Sequence, residues 1–339
     1  MSTSPRDRRP SGDARSAVGA FDAAIADSAT AARVRFDEPL GPFTTYRVGG
    51  PAARFVPVDD DADLAAVVRA VSTSGVDVVV VGKGSNLLVA DAGFSGVAIQ
   101  LGGDFATVGV TFDVASVGGS RSGPRTATVR AGGAALLPVV ARRTAAEGLT
   151  GFEWAVGVPG SIGGAVRMNA GGHGSDMAAS LVRVRVVDLR LGEDGVVTTT
   201  TLALGYRSSA VAAHQVVAWA ELQLQVGDRS RAEAEISEIV RWRREHQPGG
   251  QNAGSVFTNP AGVSAGRLID ESGCKGLRIG SAEVSPKHAN FIQADVGGSA
   301  DDVVLVMKEV QSRVLAASGV RLHAETRLVG FGDEMGEAL

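Results

Sequence analysis

Four valines run straight into a glycine-rich loop, Val78-Val-Val-Val81 followed by Gly82-Lys-Gly-Ser-Asn86, and this junction restricts the folds open to the chain more than any other feature. Glycines directly after a buried strand expose backbone N–H groups. Those groups form a concave cradle for phosphate oxygens, with Ser85 and Asn86 as added donors. Two familiar nucleotide folds are excluded by the spacing. Position 87 is Leu where a Rossmann turn needs a glycine, and no helical pattern follows. Lys83 precedes Gly84 instead of Ser or Thr, which rules out a P-loop.

Two further loops are built alike. Gly157-Val-Pro-Gly-Ser-Ile-Gly-Gly-Ala165, continuing to Asn169-Ala-Gly-Gly172, offers Pro159, Gly160, Ser161, Gly163, Gly164 and Asn169. Thr44-Thr-Tyr-Arg-Val-Gly-Gly50 offers Thr45, Tyr46 and Arg47, the last a cationic partner for phosphate. Each loop alone reads first as a plain turn. Three in one chain, beside Gly82, Lys83, Gly84, Ser85 and Asn86, suggest one long dinucleotide threaded between subdomains.

Composition narrows the partners. Charged residues make up 21% of the 339 and the net charge is −4, so nothing draws the chain in bulk to nucleic acid or to a membrane surface. The single cysteine, Cys274, excludes an internal disulfide framework and a cysteine-built metal site, and no metal is expected. The first residues, MSTSPRDRRPSGDARS, have no apolar run behind their arginines, and no stretch approaches the length of a membrane span. A cytoplasmic monomer is the expectation.

The pattern along the chain predicts an α+β protein. A polar tail to about Ser16 and an Ala-rich helix from Ala17 to about Ala32 make up a disordered or partly helical segment, 1–33. Residues 34–105 alternate strand and helix, with Leu64, Val67, Val68 and Val71 on one helical face. Residues 106–227 are dominated by short strands (Thr126–Ala131, Leu181–Leu189, Val196–Thr200 and Gln215–Leu224), interrupted by a helix near Leu136–Glu147. A composition change near Gly227 marks the start of a third segment, 228–335. Its helices are expected at Arg229–His246, Ala265–Ser272 and Ser299–Ser318, the last capped by Ser299 and stopped by Gly319.

Candidate chemistry lies in the last two segments. In Gln251-Asn-Ala-Gly-Ser-Val-Phe-Thr-Asn-Pro260, small residues allow close approach to the backbone while Val256 and Phe257 anchor it, so Ser255 is a hydroxyl on a tethered turn. Gly205-Tyr-Arg-Ser-Ser209 sets the guanidinium of Arg207 beside Tyr206. Arginine suits a carboxylate bound through two parallel hydrogen bonds, although an isolated arginine is more often a solvated one. Leu322-His-Ala-Glu-Thr-Arg-Leu328 alternates as a strand with Glu325 and Arg327 on one face, which also fits an ordinary exposed strand. Lys275, Lys287, His288 and Asn290 supply further polar groups; His288 reads as a packed histidine before a base, and Cys274 as a core residue.

These segments together resemble the UDP-N-acetylenolpyruvoylglucosamine reductase (MurB) family. Thr44-Thr-Tyr-Arg-Val-Gly-Gly, Val81-Gly-Lys-Gly-Ser-Asn and Gly160-Ser-Ile-Gly-Gly-Ala look like its flavin-binding segments. Gly205-Tyr-Arg-Ser, Asn252-Ala-Gly-Ser-Val-Phe, Leu268-Ile-Asp, Lys275-Gly, Lys287-His-Ala-Asn-Phe-Ile and Ala324-Glu-Thr-Arg fall in the family's order. The resemblance implies two α/β subdomains holding FAD, as in the vanillyl-alcohol-oxidase type, and then a smaller α+β substrate domain. It implies NADPH as hydride donor and the enolpyruvyl ether of UDP-N-acetylglucosamine, a nucleotide sugar, as acceptor. Arg207 and Glu325 would then stabilise an enolate and Ser255 would protonate it. Tyr206, Asn259, Lys275, Lys287, His288 and Asn290 would meet the nucleotide sugar.

Departures from the pattern are visible. Thr258 stands where the family often has Lys, His173 where it tends to have an aromatic residue. The only tyrosines are Tyr46 and Tyr206, so the tyrosine of the family's mobile loop is missing, and the chain resembles the shorter subgroup. An alcohol oxidase of the same flavin fold and a non-catalytic flavin or nucleotide-sugar binder are the alternatives.

Overall fold

The computed structural model describes residues 12–113 and 126–332. The chain divides into two compact units, one of Met1–Val56, Ala70–Ile99 and His246–Leu339, the other of Pro57–Arg69 and Gln100–Glu245. The architecture is α+β, as the alternating periodicities predict.

In the first unit a four-stranded sheet runs in the order Arg35–Pro39, Pro51–Val58, Phe94–Leu101, Val78–Val80. The outer valine strand is parallel to its neighbour. Leu40, Phe55, Val81, Val89 and Ala98 pack together beside it, and the Phe43 ring stacks on Phe55 at 4.5 Å. The helix Ala300–Ser318 buries Val303, Val306, Met307, Val310 and Val314, the apolar stripe visible in its sequence. These residues share one core with Tyr46, Val48 and Leu88 from the early glycine-rich loops and with Val256 and Phe257. Ser299 caps the helix, its hydroxyl accepting from the Asp302 N–H, and Gly319 ends it in the left-handed conformation. Asp91 adds a second cap, accepting from the N–H groups of Ala300 (2.9 Å) and Asp301 (3.2 Å).

The second unit is built on an antiparallel sheet ordered Asp194–Thr198, Leu181–Asp188, Gln215–Val226, Thr126–Gly132, Val108–Phe112. The helices Leu137–Ala146 and Ile162–Met168 bury Val140, Ala141, Ile162 and Val166 in one cluster. Ala232, Ile236 and Ile239 of the helix Arg229–His246 join the same cluster. The boundary between units therefore falls after this helix, although the composition changes before it. Among the described residues no helix is long and apolar enough to cross a membrane.

Three local expectations need correction. The first helix spans Gly12–Ile25 and so begins inside the expected polar tail; residues 1–11 lie outside the described residues. Val18, Phe21 and Ile25 form its buried stripe, and Arg54 donates to the Asp22 carboxylate at 2.8 and 2.6 Å, which draws the helix onto the sheet. The strand expected at Val196–Thr200 ends at Thr198, and Thr199–Leu202 turns into a short helix that buries Leu202. The glycine-rich run after Gly160 is no open loop. Ser161 caps it, and Ile162–Met168 is helical because Ile162, Ala165 and Val166 are buried at helical spacing.

Candidate functional site

Ser255 follows Gly254, whose φ of +75° is a conformation that glycine adopts freely. Beyond it the chain is fixed on both sides. The buried Asn290 stands in for a strand partner. Its carbonyl accepts from Val256 N–H (2.9 Å), its Oδ1 accepts from Phe257 N–H (3.0 Å), and its Nδ2 donates to the Phe257 carbonyl (2.8 Å). On the other side Glu325 N–H donates to the Val256 carbonyl at 2.7 Å. Ser255 and Glu325 are thus brought together around one residue, Val256.

Glu325 is tied at its own carbonyl as well. Asn86 Nδ2 donates to it at 2.9 Å, and the Asn86 carbonyl accepts from Arg327 N–H at 2.9 Å. The chain changes partners here. Ala324 bridges to Phe257, whereas Arg327–Val329 forms a parallel strand with Leu87–Val89. The expected continuous strand Leu322–Leu328 is therefore broken at Glu325 and Thr326, because both of their N–H groups converge on Val256 O.

The two early loops meet one another. Thr45 N–H donates to the Gly84 carbonyl at 3.2 Å. Gly84 has φ +60°, and a Cβ there would collide with the Phe43 carbonyl and the Thr44 Cα, so glycine is required. Gly82 and Lys83 are exposed, and Ser85 and Asn86 half-buried. Arg47 is exposed and also has a left-handed backbone, φ +59°. The Tyr46 hydroxyl is fully buried and has no hydrogen-bond partner among the described residues; burial pushes its pKa up, so it stays protonated. A buried phenol of this kind fits the polar part of a bound dinucleotide.

The remaining candidates of this unit have structural partners. Asn259 is exposed, and its Oδ1 accepts from Ala265 N–H (2.9 Å), adding to the Ser264 cap of the helix Ala265–Glu271. Lys275 pairs with Asp270 at 2.7 Å with both side chains partly in solvent, a contact worth little. Lys287 is exposed. Burial lowers the pKa of His288, helped by the charge of Lys275, so its ring is neutral near neutral pH. His288 Nδ1 accepts from Asn290 N–H at 3.2 Å, and the ring packs on Phe291. Thr258 bonds through N–H and hydroxyl to the His323 carbonyl (3.0 and 3.3 Å). Cys274 is buried, and burial raises its pKa, as suits a core thiol.

In the second unit Gly163 serves packing. Its N–H donates to the Gly133 carbonyl at 2.8 Å, and a Cβ would lie 3.1 Å from that oxygen. Gly164 N–H is held by the Ser161 hydroxyl at 3.5 Å. Pro159 is exposed, and Gly160 has φ +149°. Asn169 ends the helix in the left-handed region (φ +38°) and is buried. Its Nδ2 donates to the Gly205 carbonyl (2.9 Å) and to Asp176 Oδ2 (3.2 Å), while its Oδ1 accepts from Ala178 N–H (3.0 Å). Gly205–Ser208 is a tight turn that carries Tyr206, 61% exposed, and Arg207, half-buried with φ +54°. His173 packs edge-on against Trp242 at 5.1 Å, its pKa lowered by burial and by Arg243. The sequence reading missed Ser209, whose hydroxyl donates to the Arg167 carbonyl at 2.7 Å. Its place at the end of Gly205-Tyr-Arg-Ser-Ser209 was the available signal.

Among the described residues no group of three or more His, Cys, Asp or Glu could hold a metal. Residues 52–199 match the family model described as an FAD binding domain. Residues 246–329 match that of the UDP-N-acetylenolpyruvoylglucosamine reductase C-terminal domain. A UDP-N-acetylenolpyruvoylglucosamine reductase of Paramagnetospirillum magneticum is 43% identical over 301 residues, covering 88% of this chain and 92% of the relative. One from Heliobacterium modesticaldum is 41% identical over 299 residues, covering 86% and 90%. The solved structure of the enzyme from Thermus caldophilus superposes with a TM-score of 0.71 at 33% identity, covering 87% of this chain and 98% of that one. At this identity and coverage, on top of both family models, the chain belongs to the UDP-N-acetylenolpyruvoylglucosamine reductase family.

Proposed function

We propose that this chain reduces the enolpyruvyl ether of UDP-N-acetylglucosamine to UDP-N-acetylmuramate, a step in making the peptidoglycan precursor, and that Arg207, Glu325 and Ser255 carry the chemistry. The observation that weighs most is the matched pair of family models, flavin-binding and reductase-specific, on one chain. FAD, when bound, would supply the hydride, with NADPH as its source. Thr45, Tyr46, Arg47, the Gly82–Asn86 loop, Pro159, Gly160 and Ser161 would hold the FAD.

The roles of the side chains follow from the charge that develops. Hydride arriving at the terminal alkene carbon leaves an electron pair beside the carboxylate, an enolate. Arg207 stabilises that charge with its guanidinium. Glu325 contributes in its protonated form, or by orienting a donor. Ser255 then gives its hydroxyl proton to the carbon next to the carboxylate and recovers one from water. A serine hydroxyl is a poor acid toward most groups, and only a strongly basic carbon makes the transfer feasible. Tyr206, Lys275 and Lys287 face the nucleotide sugar in this reading, while Asn259, His288 and Asn290 shape the backbone around it. Residues 34–105 and 106–227 handle the cofactor, Tyr206 and Arg207 of the latter also serve the substrate, and 228–335 handle the substrate, in a cytoplasmic monomer.

One assay tests the proposal. NADPH oxidation is followed with and without the enolpyruvyl substrate. Substrate-dependent consumption that yields UDP-N-acetylmuramate is expected. A flavin-loaded protein that oxidises NADPH no faster when substrate is added would overturn it.

A further inference from the structure

We propose that Asn169 and Ser209 are positioning residues for Arg207, holding its turn from both flanks on the end of the helix Ile162–Met168. The inference rests on the role given to Arg207 above. The turn closes on itself through Gly205 N–H to the Ser208 carbonyl (3.0 Å) and Ser208 N–H to the Gly205 carbonyl (3.3 Å). Tyr206 and Arg207 are its two central residues, and Arg207 has φ +54°. A turn normally fills such a position with Gly or Asn, since a Cβ disfavours the left-handed region. Left to itself, the turn would relax by rotating its central peptide and would swing the guanidinium away. Strain of this sort persists only where the surroundings over-determine the conformation.

Two side chains hold the turn from its flanks. On the near flank Asn169 Nδ2 donates to the Gly205 carbonyl at 2.9 Å. That oxygen also accepts from Ser208 N–H, so both of its lone pairs are engaged. On the far flank the Ser209 hydroxyl donates to the Arg167 carbonyl at 2.7 Å while accepting from Val211 N–H at 3.2 Å, which leaves one direction for its proton. Arg167 and Asn169 are neighbours at the end of one helix, so both anchors come from one place. The Arg167 carbonyl is one of the terminal acceptors that a helix cannot satisfy internally. Asn169 has no donor left for a cofactor, because its second amide hydrogen goes to Asp176 at 3.2 Å. Its role is to set the angle of Arg207.

The test uses the full-length, FAD-loaded enzyme in two single-turnover reactions, flavin reduction by NADPH and flavin reoxidation by the enolpyruvyl substrate. For Ser209→Ala and Asn169→Ser, reoxidation is expected to slow by about tenfold or more, since small misplacements of a charge-stabilising group are costly. FAD affinity and the reduction rate should stay within about twofold of wild type. Ser209→Thr, which keeps the hydroxyl, should restore most of the reoxidation rate. Equal slowing of both half-reactions, or loss of FAD from Asn169→Ser, would overturn the inference in favour of a cofactor or general folding role. Ser209→Ala decides the matter if Asn169→Ser does not fold. Arg207→Lys separates the two levels. If it is slow while the anchor variants are normal, the inference alone fails; if it reoxidises normally, the role of Arg207 fails and the inference with it.

Discussion

Asn86 and Asn169 each end a glycine-rich segment, and each donates its carboxamide at 2.9 Å to a backbone carbonyl, that of Glu325 in one unit and that of Gly205, two residues before Arg207, in the other. The backbones they hold differ. Glu325 sits where the chain passes between two partners, with Val256 taking its N–H and Asn86 taking that of Arg327. Glu325 is not among the residues with positive φ, whereas Arg207 is. In the first unit the amide supports a backbone that already has ladder-like bonds. In the second it supports a turn with a left-handed central residue, joined by a second side chain, Ser209. The difference teaches that one donor–acceptor pair can be a reinforcement in one setting and a clamp on strain in another.

The comparison can be broken most sharply at Ser255, the proposed proton donor, which shares Val256 with Glu325. Ser255→Ala should slow reoxidation of the flavin by substrate about 10²–10⁴-fold, the range of a lost general acid, while reduction by NADPH holds. Stopped-flow flavin absorbance separates the two, and parallel loss of both would mean that the turn is structural.

The strain itself gives the next contrast. Arg207→Gly should lower the reoxidation rate by about 10²-fold through loss of the charge, yet raise stability by about 0.5–1 kcal/mol, because glycine accepts φ +54°. Glu325→Gly should lose rate and gain nothing, having no positive φ to relieve. A urea midpoint that moves the same way for both variants would erase the distinction.

A smaller effect is expected from Asn86→Ala, which removes one side chain to backbone bond and leaves the Glu325 carbonyl with an unmet acceptor. About 1–2 kcal/mol of stability should be lost, read from the same denaturation curves.

The smallest concerns pH. His288 and His173 both have pKa values lowered chiefly by burial, so the folded state binds fewer protons than the unfolded one below the ordinary histidine value of about 6.5. Their contribution is complete above that pH and is lost as the pH falls through it. His288→Gln should flatten the acid side of the stability profile, and an unchanged slope would mean that His288 does not titrate on unfolding.

Much of the fold was legible. Helices with a clean apolar stripe, such as Ala300–Ser318 and Arg229–His246, stand where periodicity and capping residues put them. The strand Gln215–Val226 lies close to its expected bounds. The glycine-rich loops were recognisable as a set. What each glycine does was not: Gly84 permits a close backbone approach, whereas Gly163 makes room against Gly133 in the turn after the strand Thr126–Gly132. Glu325 shows the limit from the other side. Its alternating neighbourhood predicts a strand, and two distant segments competing for its N–H and carbonyl break that strand.

The sequence by itself determined the family, the reaction class and the residue types brought to it, because these depend on an ordered set of short motifs and on side-chain chemistry that is local. Only the tertiary structure decided which polar groups are available and which are engaged. Asn169 and Asn290 read alike as donors to a ligand, yet each is bonded to backbone from another part of its unit. The physical reason is that a buried carboxamide takes whatever carbonyl or N–H the packing brings within reach, and that partner is set by chain segments far apart in sequence.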